Sequence, residues 1–122
     1  KKLKIQQAHD LINKLPKAYE TNANILSAGQ RQRIGLARSF FGKPKLVVLD
    51  EPNSNLDGEG EVALMNAIQN ARASNITTII ISHKPSILSI VDKILVLQDG
   101  QAKIFDEAKI VMKQLAGDEN DK

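Results

Sequence analysis

Hydrophobic residues recur along this chain with two spacings, and each spacing predicts a different kind of element. Apolar residues three or four positions apart predict helices. The predicted helices cover residues 3–15, 27–41 and 62–73. Pro16 is suited to end the first helix, and Gly42 with Pro44 to end the second. The polar stretch 17–25 between them predicts a loop.

Two short runs of consecutive apolar residues predict β-strands. They read "KLVVLDEP" (45–52) and "TTIIISH" (77–83). An uninterrupted apolar run is typical of a strand buried on both faces. The order strand, helix, strand predicts a right-handed parallel βαβ unit.

The last third of the chain predicts a hairpin followed by a helix. Residues 94–97 and 102–105 flank Asp99-Gly100, a dipeptide that favours a two-residue turn. A short helix is expected from about Glu107 to Leu115, followed by an acidic tail that we expect to be frayed.

Composition limits the classes of function. The 122 residues suffice for one domain at most, and 42% are hydrophobic, enough for a core. The net charge of +3 comes from interleaved acidic and basic residues, which argues only weakly for nucleic acid. The chain has no cysteine and two histidines, so the sequence predicts neither a disulfide framework nor a His-rich metal site.

Both predicted strands end in residues that can carry chemistry. Asp50 and Glu51 follow the first, and Ser82 and His83 follow the second. Ligands of open α/β sheets sit beyond the carboxyl ends of the strands, so these side chains are expected to converge. A carboxylate there can hold Mg²⁺ through water, and its neighbour can orient an attacking water. Alternatively, the acids form a strand-ending turn and His83 is a capping or core residue.

The stretch "NILSAGQRQRIGLARS" (24–39) raises a second possibility for ligand binding. Ser27 and the backbone amides near Ala28 and Gly29 would present the positive end of a helix to a phosphate. On the alternative reading, Ser27 is an ordinary N-cap. The arginines of this helix would then form a solvated face.

The order of four motifs resembles the ATP-binding cassette (ABC) ATPases: "LSAGQRQRIGLAR", "LVVLDEP", "SNLD" and "ISHK". The resemblance implies that Ser27, Ala28, Gly29 and Gln30 bind nucleotide in the signature loop, with Ala28 replacing the usual glycine. It implies Mg²⁺ held by Asp50 through water, and catalytic roles for Glu51 in the Walker B motif, Asp57 in the D-loop and the switch histidine His83. ATP and Mg²⁺ are the implied cofactors.

The implied fold is α/β, a partial P-loop NTPase domain of ABC type with a parallel βαβ core, a C-terminal hairpin and a helix. Residues 1–44 correspond to the end of the helical subdomain with the signature helix. Residues 45–116 correspond to the catalytic core from Walker B to the H-loop, and 117–122 to a disordered tail. No G-x-x-x-x-G-K-[ST] motif occurs, so the chain, a fragment or a truncated product, is expected to be inactive alone.

The sequence between the motifs is similar to that of bacterial type I secretion exporters. This implies a homodimeric partner cassette, a transmembrane domain, a periplasmic adaptor, an outer-membrane channel and a polypeptide substrate. It also implies a place at the cytoplasmic face of the inner membrane, with no nucleic acid bound. Two alternatives remain open: a truncated non-catalytic module, and a non-transport ABC ATPase that acts on DNA, although no heptad run occurs.

Overall fold

The computed structural model describes residues 13–14 and 26–120. The helix predicted over residues 3–15 and the loop over 17–25 therefore lie almost wholly outside the described residues. The chain divides into two compact units, Lys1–Ser82 and His83–Lys122. The predicted division at residue 44 into a helical subdomain and a catalytic core stays a prediction.

The first unit has a βαβ core. Strand β1 (Leu46–Asp50) pairs in parallel with β2 (Thr77–Ile81), and Leu46 is opposite Thr77. Helix α2 (Gly58–Ala73) connects the strands and contacts β2. The prediction of a parallel βαβ unit is confirmed.

Helix α2 supplies the largest group of buried side chains among the described residues of the first unit. These are Ala63, Leu64, Ala67, Ile68 and Ala71, and Val47 and Leu49 of β1 are also buried. The helix begins four residues before the predicted start because the Asp57 carboxylate caps it, accepting from the Gly60 amide at 2.8 Å. Glu59 and Glu61 in the first turn suit the positive end of the helix dipole.

The end of α2 is a Schellman motif. The Ile76 amide donates to the Ala71 carbonyl at 2.9 Å, and the Asn75 amide donates to the Arg72 carbonyl at 3.0 Å. Asn75 has φ +55°, the left-handed conformation that this motif requires. The chain can therefore reverse directly into β2.

The prediction that both strands are buried on both faces is wrong for the described residues. One face of the sheet is covered, with Val47 4% and Leu49 7% exposed. On the other face Val48 and its cross-strand neighbour Ile79 are 57% and 51% exposed. The apolar run correctly predicted strands. It could not say which elements would cover them.

Helix α1 (Ala28–Ser39) precedes β1 and contacts α2. It ends before the predicted stop, because Phe40 is the C-cap and Gly42 and Lys43 have positive φ. Phe40 is buried, whereas Phe41 is 75% exposed. The C-cap residue, and not the residue after it, therefore supplies the buried phenylalanine.

The second unit is a hairpin with a helix packed on it. Strands β3 (Lys93–Gln98) and β4 (Gln101–Glu107) are antiparallel, and Gln98 pairs with Gln101 around the predicted turn. Asp99 and Gly100 both have positive φ, as a type I′ turn requires. The hairpin prediction is confirmed. A short helix α3 (Pro85–Leu88), which was not predicted, precedes β3.

Helix α4 (Ala108–Asn120) closes the second unit. Its Val111 is buried with Ile94 of β3 and Ala108. The predicted end at Leu115 is wrong, and residues 117–120, assigned to a disordered tail, are helical. No proline follows Leu115, and each residue added to an existing helix gains a backbone hydrogen bond. Within the described residues no helix is both long and apolar enough to cross a membrane.

Candidate active site

The N-terminus of α1 is closed by a capping box. The Ser27 hydroxyl accepts from the Gln30 amide at 3.1 Å, and the Gln30 side-chain oxygen accepts from the Ser27 amide at 2.9 Å. Ser27 is therefore an N-cap, as its alternative reading predicted. Ala28 and Gly29 are the first two helical residues, so their amides have no carbonyl partner within the helix. Such amides are available to an anion.

The carboxyl end of β1 carries the two predicted acids. Asp50 is the last strand residue and is exposed, and Glu51 follows it half-buried. The Glu51 amide donates to the Ile81 carbonyl at 2.9 Å, which extends the pairing with β2 by one residue. The backbone at Glu51 is therefore fixed by the neighbouring strand.

Glu51 has an unusual backbone conformation. Its φ is +43°, in the left-handed region that non-glycine residues rarely adopt. Such a conformation costs on the order of 1 to 3 kcal/mol and persists only where surrounding contacts enforce it. Its carbonyl accepts from the Ser54 amide at 3.2 Å, closing a turn over residues 51–54.

Two contacts join α1 to this turn. The Gln32 side-chain amide donates to the Glu51 carbonyl at 3.2 Å and also to the Pro52 carbonyl. A Cβ atom placed on Gly29 would lie 2.7 Å from the Asn55 carbonyl oxygen, closer than real Cβ atoms come. The helix backbone therefore approaches the turn where it has no side chain.

Asp57 and Asn53 are held inside the same loop. Asp57, predicted as catalytic, uses its carboxylate to cap α2, and any catalytic role remains a prediction. Asn53 is 2% exposed, and its side-chain oxygen accepts from the Ser82 hydroxyl at 3.3 Å. This bond links the turn after β1 to the residue after β2.

His83 is the first residue of the second unit and is exposed. The first unit brings Asp50, Glu51 and the signature helix into one connected region. The expected convergence of His83 with them stays a prediction.

The comparisons with known proteins agree with this arrangement. The family model described as "ABC transporter" matches residues 3–54, which include the whole of α1 and of β1 with the turn that follows it. The type I secretion system ATP-binding protein PrsD of Rhizobium meliloti is 46% identical over 116 residues. The chain belongs to the ABC transporter ATPase family.

The alignment with PrsD covers 92% of this chain but only 20% of that protein. ABC transporter B family member 14 of Arabidopsis thaliana is 41% identical over 104 residues, which is 82% of this chain and 8% of the relative. The chain thus spans a fifth or less of these relatives.

Solved structures share the fold. A bacterial Atm1-family ABC exporter with ATP bound matches with a TM-score of 0.76 and 28% identity, over 93% of this chain and 22% of the exporter. A dimeric ATP-binding cassette bound to ADP and Pi matches with a TM-score of 0.72 and 20% identity, over 87% of this chain and 46% of that one. The predicted fold class, an ABC-type P-loop NTPase fragment with a C-terminal hairpin and helix, is confirmed.

The residues present fit the Mg²⁺ that accompanies nucleotide in such ATPases. Among the described residues no group of three or more His, Asp or Glu side chains could hold a metal by itself. Mg²⁺ is usually bound through one or two carboxylates together with waters and substrate phosphates. A single exposed carboxylate at a strand end, as at Asp50, suits that mode of binding.

Sequence reasoning missed Gln32 and Asn53. Gln32 lies three residues after Gly29, so the two share one face of α1, and this spacing was a usable signal. Asn53 sits between a proline and a serine in a polar loop, where nothing in the local sequence indicates burial.

Proposed function

We propose that these residues form the part of an ABC exporter ATPase domain that runs from the signature loop to the switch histidine. In this proposal ATP hydrolysis drives export of polypeptides. Residues 1–44 close the helical subdomain, and 45–116 form half of the catalytic core. The partners are a second cassette, a transmembrane domain, a periplasmic adaptor and an outer-membrane channel, at the cytoplasmic face of the bacterial inner membrane.

The proposal rests on the region where α1 meets the end of β1. Phosphate binding by Ser27, Ala28, Gly29 and Gln30 is supported by a helix N-terminus whose first amides have no partner within the helix. Hydrolysis is supported by two successive carboxylates at the carboxyl end of a strand.

Each carboxylate has a separate role. Asp50 would hold Mg²⁺ through water, and the metal supplies charge stabilisation on the phosphates when it is bound. Glu51 orients the attacking water and accepts its proton, and His83 contacts the γ-phosphate. Asp57 belongs to the D-loop, and its capping of α2 fixes the end of that loop.

Export of polypeptides, rather than of another cargo, is supported by the similarity to PrsD, a type I secretion protein. Other relatives carry different names, among them a multidrug resistance protein of Entamoeba histolytica at 39% identity. The cargo is therefore the part of the proposal that needs a test in cells.

The test uses a hybrid protein, in which these 122 residues replace the matched segment of PrsD. The hybrid is expected to hydrolyse ATP and to restore type I secretion to Rhizobium cells that lack PrsD. Glu51→Gln should reduce turnover by about a hundredfold or more while ATP binding stays near the wild-type level. Glu59→Gln removes an exposed carboxylate in the first turn of α2 and serves as the control.

A folded hybrid without ATPase activity would contradict the enzymatic proposal. ATPase activity without restored secretion would contradict polypeptide export alone. Wild-type turnover in the Glu51→Gln hybrid would remove Glu51 from the catalytic residues.

A further inference from the structure

Gln32 is half-buried on α1, and its side-chain amide lies against the backbone that follows β1. The amide nitrogen donates to two successive carbonyls, those of Glu51 and Pro52. A glutamine amide has two N–H donors, so this contact uses its full donor capacity. Neither acceptor is a side chain, and the contact therefore fixes the position of the main chain.

The backbone that Gln32 holds includes Glu51, the residue of this turn with an unfavourable backbone conformation. Glu51 has φ +43°, and contacts from β2, from its own turn and from α1 hold its backbone. The Ile81 carbonyl receives the Glu51 amide, and the Ser54 amide donates to the Glu51 carbonyl. Gln32 supplies a further contact, from α1, nineteen residues away in the chain.

A second contact brings α1 close to the same loop after β1. The Gly29 backbone lies against the Asn55 carbonyl with no room for a Cβ atom between them. Gly29 and Gln32 are three residues apart on α1, and they meet the two ends of the segment 51–55. Helix α1 therefore contacts this loop at two points, one at each end of the segment 51–55.

We propose that Gln32 is a positioning residue for hydrolysis: its two bonds hold the turn over residues 51–54 so that the Glu51 carboxylate is aimed at the attacking water. This inference rests on the proposed function, because it assumes that Glu51 handles that water. In this proposal Gln32 acts through the Glu51 and Pro52 carbonyls, not through a contact of its own with nucleotide or water.

A purely structural role would give a different result on substitution. If Gln32 only satisfied buried carbonyls, its loss would loosen the fold and weaken ATP binding together with turnover. A positioning role lowers kcat and leaves KM for ATP near its wild-type value, because misplacing a reacting group affects chemistry and not ground-state binding. A displacement of about 1 Å can cost on the order of a hundredfold in rate.

The test compares Gln32→Met with Gln69→Met in the hybrid protein. Methionine keeps the length of glutamine and removes the donors, and Gln69 is an exposed glutamine on α2. Gln32→Met is expected to reduce kcat by about ten- to a hundredfold with KM nearly unchanged. It should also speed amide hydrogen exchange in residues 51–55 without changing that in β3 and β4. Gln69→Met should change none of these.

Gln32→Glu gives a second variant of the same length that also lacks the donors, and it should lower kcat at least as much. The positioning role is overturned by a wild-type kcat in Gln32→Met, or by an equal fall in kcat and in ATP affinity. In either case the proposed function still stands, provided that the parent hybrid is catalytically active. An inactive parent hybrid contradicts the proposed function. Amide hydrogen exchange in residues 51–55 that is unchanged in Gln32→Met overturns the claim that Gln32 holds the turn, whether or not the parent is active.

Discussion

The contact between Gly29 and Asn55 predicts opposite effects for one substitution at two positions of α1. In Gly29→Ala the new Cβ would start 2.7 Å from the Asn55 carbonyl oxygen, whereas real Cβ atoms stay beyond 3.0 Å. The helix or the loop must then move by at least 0.3 Å. The neighbour is backbone, so no side chain can rotate away. In Gly35→Ala the new Cβ meets nothing within 4 Å.

The difference between the two variants isolates the cost of the steric clash. Replacing glycine by alanine inside a helix stabilises it by roughly 0.5 to 1 kcal/mol, and this gain is largely shared by both variants. Overpacking of a close contact costs about 1 to 3 kcal/mol. The segment 51–57 should therefore open more easily in Gly29→Ala than in Gly35→Ala by about 1 to 3 kcal/mol.

Amide hydrogen exchange of residues 51–57 in the hybrid protein measures this difference directly. A change of 1 to 3 kcal/mol corresponds to exchange about 5- to 150-fold faster in Gly29→Ala than in Gly35→Ala. Exchange in β3 and β4, which belong to the second unit, serves as the internal reference. Equal exchange in the two variants would refute the proposed close approach of the helix to Asn55.

Two further predictions concern the end of α2 and the chain alone. Asn75→Gly should raise the free energy of unfolding of the hybrid by a few tenths to about 1 kcal/mol, and Asn75→Ala should lower it by a similar amount, because residue 75 has φ +55°. Urea unfolding measures both changes. A higher free energy of unfolding in Asn75→Ala would contradict the Schellman assignment. The isolated 122-residue chain should not bind ATP with useful affinity, since its sequence has no phosphate-cradling P-loop motif. Micromolar binding in a calorimetric titration of that chain would show the prediction to be wrong.

The elements that were predicted well are those encoded by neighbouring residues. Asp99-Gly100 specifies the hairpin because both positions need positive φ and both residues tolerate it. The apolar run from Leu46 specifies a strand because its branched side chains suit a sheet. The start of α2 was also readable from Asp57, a good N-cap followed by acidic residues, but the helix was placed too late.

The features that were not predicted depend on residues far apart in the chain. Covering of Val48 and Ile79 depends on which elements pack on the sheet, which the strand sequence does not contain. The bonds from Gln32 join positions nineteen and twenty residues apart, so the spacing from Gly29 can indicate a shared face of α1 but not the carbonyls that this face meets. The link between Asn53 and Ser82 likewise joins positions far apart in the chain. Positions that act through such contacts are found only once the fold is known.

The proposed pairing with a second cassette carries a central claim: the signature loop of one chain closes on nucleotide held by the partner, as the resemblance to ABC ATPases implies, so that Ser27 and Glu51 of one chain serve two different nucleotide sites. Mixed dimers of hybrid proteins test it, with Ser27→Arg in one copy and Glu51→Gln in the other. Each homodimer lacks a competent site, whereas the mixed dimer joins an intact Glu51 from the first copy to an intact Ser27 from the second. A dimer of wild type with Glu51→Gln retains one competent site and controls for a requirement that both sites work. The account predicts that mixing restores ATPase activity to the level of that control. Activity that stays at the homodimer level, in mixed dimers whose wild-type control is active, would contradict it.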